Sequence, residues 1–149
     1  MAGNSFRIAL VTARLCLAVP LLVSALGHIA NPFSFFRTVL SYELIPIDFS
    51  PYFSATLPFL MLLVSISLLG SIFDRVDLNI AGLLYSSFAF AQLMAILRGL
   101  NIDCGCFVTI EHKVSWVGVG AAFSGAIVSF AVFWLERAKV EVTDSAVSN

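Results

Sequence analysis

Four long apolar stretches dominate this 149-residue chain and leave few folds open to it. They cover residues 8–29, 53–73, 78–97 and 114–135. Charged residues make up 11% of the chain, against about 25% in soluble domains. A bilayer core about 30 Å thick needs roughly 20 apolar residues per helix. The sequence therefore predicts an all-α membrane protein whose single domain, residues 1–135, is a four-transmembrane-helix bundle in the lipid bilayer.

Two other segments differ from these spans. Residues 31–52 are too aromatic for a solvated loop, and Pro32, Pro46 and Pro51 interrupt them too often for a span. They predict an amphipathic interfacial or re-entrant segment between helices 1 and 2. Residues 136–149 are polar and predict a mobile tail. The net charge of −1 argues against a nucleic-acid partner.

The charges at the two sides of the bundle predict its orientation. Four spans put both termini on one side, and the loop 99–113 lies on the other with residues 31–52. More Lys and Arg residues lie near the termini than on the loop side. Positive charges favour the cytoplasm, so we expect cytoplasmic termini and a loop outside. Arg14 is expected to extend its side chain to the cytoplasmic interface, and no span is expected to contain an acid.

Two cysteines one glycine apart, Cys104 and Cys106, are the main candidates for chemistry. A disulfide between them closes a very small ring, for which Gly105 supplies backbone freedom. So small a loop gives little stabilisation, whereas strained, exposed disulfides exchange readily. Asp103 disfavours a second negative charge on Cys104, and Arg98 favours the thiolate. The pattern favours thiol–disulfide exchange over a structural staple.

Other interpretations of the cysteines stay open. Cys104, Cys106 and His112 share one loop, and His28 is expected on the same side, so the four could form a tetrahedral zinc-type site. One residue between the cysteines is shorter than the usual spacing of two to four. Alternatively, the pair carries no chemistry and only packs. No cofactor is predicted: neither zinc nor a quinone beside Phe88 has further support in the sequence.

A family resemblance is concentrated around the cysteine pair. The matching residues are Arg98-Gly99-Leu100, Asp103-Cys104-Gly105-Cys106-Phe107 and Ser115-Trp116, with Gly27-His28, Pro32, Phe36, Tyr42, Pro46, Leu57-Pro58-Phe59 and Gly70 upstream. On these residues the chain resembles the MauE family of methylamine-utilisation membrane proteins, within the broader DoxX-like group. The resemblance covers about residues 8–135.

This resemblance implies a function at the bacterial inner membrane. Members are associated with a periplasmic thioredoxin-like partner and with maturing a disulfide-rich periplasmic enzyme subunit. Carried over, Cys104 and Cys106 would be the exchanging pair in a periplasmic loop. Arg98 and Asp103 would shape that loop, and Gly105 and Phe107 would complete the motif as supporting residues. The chain would be a component of a thiol-disulfide oxidoreductase system, and whether it is itself an enzyme is left open.

The sequence departs from the family pattern at three places. Val108 follows Phe107 where glycine is usual, and Met61 stands where the second span usually carries an acid. Residues 117–120 are apolar where charges are common. Without the acid, a proton-coupled or quinone-coupled step is not expected. The rival hypothesis is a structural or assembly subunit, bound to other membrane subunits, with a non-catalytic cysteine loop.

Overall fold

The computed structural model describes residues 2–70, 76–100, 102 and 114–147 of the chain. Within these residues every regular element is a helix. In chain order the helices are α1 (Ala2–Ala30), α2 (Pro32–Ser41), α3 (Ser50–Gly70), α4 (Val76–Leu97) and α5 (Trp116–Val147). Among them α1, α3, α4 and α5 are long and apolar enough to cross a bilayer. The predicted all-α, four-span architecture is confirmed.

The short helix α2 accounts for the aromatic, proline-containing segment after the first span. Pro32 starts it, a position where the missing N–H of proline has no helical partner to lose. Phe35 and Val39 are buried on one side, whereas Phe33 on the other side is exposed. Ten residues span only about 15 Å at 1.5 Å per residue, too short to cross a membrane. The helix is amphipathic, as the sequence predicted.

The four spans pack as two close pairs, α1 with α3 and α4 with α5. Small residues allow the close packing of α4 against α5. A Cβ atom on Gly82 would stand 2.9 Å from the ring of Phe130, and one on Gly125 would stand 2.8 Å from the ring of Tyr85. Gly82 and Gly125 therefore serve the chain's own packing, because each makes room for an aromatic ring of the other helix.

A proline interrupts the hydrogen bonding of α1, and a tyrosine from α4 lies beside the interruption. Pro20 lies inside α1 and cannot donate a backbone hydrogen bond. The Tyr85 hydroxyl donates to the carbonyl oxygen of Leu17 at 2.8 Å. Because a bilayer offers no water to backbone groups at this depth, such a donor from a neighbouring helix stabilises the broken region. Tyr85 thus links α4 to both α1 and α5.

Two contacts that involve charged side chains join the helices at one end of the bundle. Arg14 is 8% exposed, and its Nη2 donates to Oε1 of the half-buried Glu136 at 2.7 Å, so Arg14 pairs with another helix of the bundle. The Ser67 hydroxyl donates to Asp77 Oδ2 at 2.7 Å, and Asp77 is buried. Asp77 and Glu136 lie within the spans Val76–Leu97 and Trp116–Ala138. The expectation that no span contains an acid was therefore wrong.

We call the end of the bundle that holds these contacts the terminal end, and it is defined by Arg14, Ser67, Asp77 and Glu136. The opposite end is the loop end, defined by His28, α2, Arg98 and Val114. The chain enters and leaves the cysteine loop at the loop end. Helix α5 extends past the predicted boundary at residue 135 as far as Val147.

Candidate functional site

Most of the predicted site residues lie outside the described residues. This holds for Asp103, Cys104, Gly105, Cys106 and Phe107, and also for His112. Their roles stay predictions. The structure does describe Arg98 and His28, together with the chain on either side of the loop. The described part of the site therefore consists of Arg98, His28 and the two flanks of the loop.

Helix α4 ends at a glycine turn just before the cysteine loop. Gly99 has φ +68°, in the left-handed region that glycine adopts without a steric penalty. The N–H of Gly99 donates to the carbonyl of Ile96 at 2.9 Å, and that of Leu100 to the carbonyl of Ala95 at 3.0 Å. This pattern satisfies the last carbonyls of a helix and reverses the chain. The Arg-Gly-Leu part of the motif is thus the C-terminal cap of α4.

The two sides of the loop meet directly after this cap. The N–H of Val114 donates to the carbonyl of Ile102 at 3.0 Å. Helix α5 begins two residues later, and the Ser115 hydroxyl accepts a hydrogen bond from the N–H of Gly118 at 3.3 Å. A serine in this position satisfies one of the free N–H groups at a helix start. The loop that contains the cysteines is therefore held at both of its ends.

Arg98 lies at the surface and contacts the connection between α2 and α3. Its Nη1 donates to the carbonyl of Glu43 at 3.5 Å, the long limit for a hydrogen bond. Glu43 has φ +50°, an uncommon value for a residue with a side chain. Arg98 thus joins the end of α4 to a turn that is distant in sequence. Its role in shaping the cysteine loop stays a prediction.

His28 is buried at the loop end beneath α2. Its Nε2 is 3.1 Å from the Ser24 hydroxyl, and its ring stacks on Phe35 with centroids 3.9 Å apart. Its Nδ1 is buried with no hydrogen-bond partner among the described residues. A buried polar nitrogen without a partner costs about 1–3 kcal/mol. From the sequence His28 was a possible metal ligand, and no sequence pattern predicted its stacking on Phe35.

A buried amide packs against the first turn of α5, close below the loop. Gln92 is 2% exposed, and a Cβ on residue 118 would stand 2.6 Å from its Oε1. Gly118 therefore lets α4 and α5 approach closely where they lead into the loop. By contrast, a Cβ on Gly120 would meet nothing within 4 Å.

A metal site finds no support among the described residues, where no group of three or more His, Cys, Asp or Glu side chains is placed to hold an ion. Three members of the predicted set, Cys104, Cys106 and His112, lie outside that part of the chain. The zinc hypothesis is therefore not tested by the geometry of His28.

Comparison with known proteins identifies the family. The family model described as "Methylamine utilisation protein MauE" matches residues 6–135. The chain belongs to the MauE family. This confirms the resemblance seen in the sequence, while the wider DoxX-like grouping stays a prediction.

A curated relative from this family shows how similar the sequences are. The protein named "Methylamine utilization protein MauE" from Methylorubrum extorquens is 30% identical over 114 residues, which are 75% of this chain and 61% of that protein. The chain thus spans about three fifths of the length of this relative. No solved structure matches the chain.

Proposed function

We propose that this MauE family member exchanges disulfides through Cys104 and Cys106 with a thioredoxin-like protein in the periplasm. The exchange would support maturation of a disulfide-containing periplasmic enzyme used in methylamine utilisation. Family membership supports the pathway. The observation that supports the site is the hydrogen bond from the N–H of Val114 to the carbonyl of Ile102, which joins the chain on either side of the Cys-Gly-Cys segment. The two flanks of that segment continue into the spans α4 and α5.

The exchange proceeds in two balanced steps. The thiolate of one cysteine attacks a sulfur of the partner's disulfide, so that a mixed disulfide forms and one partner thiolate leaves. The second cysteine then attacks its neighbour's sulfur, forming the Cys104–Cys106 disulfide and releasing the partner's other thiolate. The pair is oxidised and the partner reduced by two electrons, and the reverse steps return them.

The proposal places the protein in the bacterial inner membrane with cytoplasmic termini and a periplasmic loop. Support comes from the four spans and from the excess of Lys and Arg near the termini. An oxidising periplasm is the compartment in which a reactive cysteine pair can cycle through a disulfide.

Single substitutions test the exchange. In Cys104→Ser or Cys106→Ser the remaining thiol cannot be resolved by its neighbour, so a mixed disulfide with the partner should accumulate. Acid treatment of the membranes would preserve this mixed disulfide, and it would be seen as a band that disappears on reduction. Cys16→Ser is the matched control, because Cys16 is exposed on α1, far from the loop in sequence. If neither loop variant traps a partner and the double variant supports growth on methylamine fully, the proposal is wrong.

The alternative function, an assembly subunit with a non-catalytic loop, has lost one of its supports. Small residues at four-residue spacing on α5, such as Gly118, Ala122 and Ala126, could let a partner helix approach closely and would support this alternative. Gly82 and Gly125 instead pack against Phe130 and Tyr85 of the same chain. Co-purification with a fixed partner, together with unchanged function of the double cysteine variant, would favour it.

A further inference from the structure

At the loop end of the bundle, one arginine joins the end of α4 to the end of α2. Helix α2 ends at Ser41, with Tyr42 as its cap, and α4 ends at Leu97. The side chain of Arg98, one residue beyond α4, donates to the carbonyl of Glu43, two residues beyond α2. The C-terminal end of a helix attracts a positive charge, and α2 has no basic residue in its own last turn. Arg98 therefore supplies the cation that α2 lacks.

The backbone of Glu43 adopts a conformation that is unusual for a residue with a side chain. Its φ of +50° lies in the left-handed region, which carries a steric penalty for most residues other than glycine. Its N–H donates to the carbonyl of Leu40 at 3.1 Å, and this bond closes the end of α2. Gly99, with φ +68°, closes the end of α4 in the same left-handed region. The two helices thus end in a similar way, but α2 does so without a glycine.

A strained backbone persists where the surrounding contacts hold it in place. The side chain of Glu43 does not supply such contacts, because it is exposed and its carboxylate forms no ion pair among the described residues. Its backbone makes two hydrogen bonds instead, one local bond to Leu40 and one to Arg98, which is 55 positions away. In the described part of the chain, the bond to Arg98 is therefore what ties this strained turn to a distant element.

We propose that Glu43 is a positioning residue for the cysteine pair. Its left-handed backbone holds the side chain of Arg98, and Arg98 holds the end of α4, from which the chain leads into the Cys-Gly-Cys segment. A displaced reacting group slows a reaction, because attack needs a defined geometry. The inference rests on the proposed exchange through Cys104 and Cys106, and it adds the turn after α2 to the parts that this exchange requires.

Two substitutions of Glu43 separate the role of its backbone from that of its carboxylate. Glu43→Val and Glu43→Asn both remove the charge, but a β-branched residue strongly disfavours positive φ, whereas asparagine tolerates it. In the single-cysteine proteins Cys104→Ser and Cys106→Ser, we expect Glu43→Val to slow formation of the mixed disulfide about threefold, since a long, exposed hydrogen bond biases the loop without fixing it. Glu43→Asn should form it at the unaltered rate. Equal rates in the two variants would overturn the proposal.

A double variant tests whether Glu43 acts through Arg98. Arg98→Gln should slow formation of the mixed disulfide by the same factor as Glu43→Val. The two substitutions together should slow it no further, because both remove the same contact. Additive slowing would show that Glu43 acts by another route and would overturn the proposal.

Hydrogen exchange of the purified full chain in micelles tests the contact without any partner. In Arg98→Gln and in Glu43→Val, the capping amides of Glu43 and Leu100 should exchange about twofold faster, the effect of one weak hydrogen bond. Unchanged exchange of both amides in Arg98→Gln would overturn the proposal, even if Glu43→Val fails to fold. Faster exchange with an unaltered rate of mixed-disulfide formation would make the contact purely structural and would also overturn it.

These two measurements distinguish a failure of this proposal from a failure of the proposed function. If the single-cysteine proteins trap no partner although the amides respond as expected, the disulfide exchange itself is refuted, and the positioning role falls with it. If they trap a partner but Glu43→Val forms the mixed disulfide at the unaltered rate, the exchange stands and the positioning role alone is refuted.

Discussion

The two ends of this bundle are held by different kinds of contact. At the terminal end, contacts that involve charged side chains cross between helices, Arg14 to Glu136 and Ser67 to Asp77, each at 2.7 Å. At the loop end, an exposed Arg98 reaches a backbone carbonyl at 3.5 Å, and a stacked imidazole keeps one nitrogen without a described partner. The comparison indicates that side-chain contacts stabilise the fold more at the terminal end than at the loop end.

Electrostatics explains the difference in strength. Charges inside a bilayer are costly unless they are paired, so a buried pair is disrupted only with a large penalty. A hydrogen bond at the protein surface competes with water and contributes little to stability. The substitutions below test this contrast, from the largest expected effect to the smallest.

The largest effect is expected when the buried ion pair loses one partner. Glu136→Ala leaves the Arg14 guanidinium buried without its carboxylate, which should lower the free energy of unfolding by about 3–5 kcal/mol. Equilibrium unfolding in mixed micelles would measure it. The neighbouring Arg137→Gln is the control, because Arg137 is exposed and contacts the Trp134 ring at 5.8 Å. Equal losses in the two variants would contradict a dominant role for the buried pair.

A smaller effect is expected at the second buried contact of the terminal end. Ser67→Ala removes the hydroxyl donor from buried Asp77 and should cost about 1–3 kcal/mol of unfolding free energy. Ser87→Ala is matched to it, since the Ser87 hydroxyl is exposed and bonds only to the Leu83 carbonyl of its own helix. The same unfolding titration should find the control within about 0.5 kcal/mol of the unaltered protein. An equally large loss of unfolding free energy in Ser87→Ala would show that the contact between Ser67 and Asp77 has no special role.

Near the cysteine loop, a methyl group tests the close approach of α4 and α5. Gly118→Ala forces the Gln92 amide to move and should destabilise by about 1 kcal/mol, since a flexible side chain can partly yield. Gly120→Ala, two residues on, meets open space and should not destabilise. Thermal unfolding followed by circular dichroism would compare the pair. Indistinguishable melting temperatures would show that Gln92 adapts freely.

The smallest effect on stability is expected for Arg98. Arg98→Gln should change the free energy of unfolding by less than about 0.5 kcal/mol, because the side chain is exposed and its bond is long. Under the proposed function it should instead slow mixed-disulfide formation with the partner. A large stability loss with unchanged exchange would reverse the roles of the two ends.

How much the sequence predicted depends on how local each feature is. The four spans and the amphipathic helix α2 follow from runs of neighbouring residues and the thickness of the bilayer. Asp77 and Glu136 were not placed inside spans, because a run of apolar residues ends at the first charge. The partner that makes burial of Glu136 possible, Arg14, is 122 positions away in sequence. No local pattern carries that pairing.

The candidate site likewise combines local features, which the sequence predicts, with contacts between distant residues, which it does not predict. The cysteine motif and its glycine cap are adjacent in sequence and could be identified there. The contact of Arg98 with Glu43, 55 positions away, needed the structure. The same holds for the stacking of His28 on Phe35, which depends on the angle at which α2 folds back on α1.

Thiol labelling from each side of the membrane tests the central claim, that a reactive cysteine pair lies outside at the loop end. The starting protein carries Cys16→Ser, and a membrane-impermeant maleimide is applied to intact cells. Cys104 and Cys106 should be labelled in intact cells, and in full once any disulfide between them has been reduced. Ala138→Cys, on the exposed surface of α5 at the terminal end, should react only after the membrane is opened. A pair that stays unlabelled in intact cells even after reduction, or that becomes accessible only together with position 138, would contradict the account.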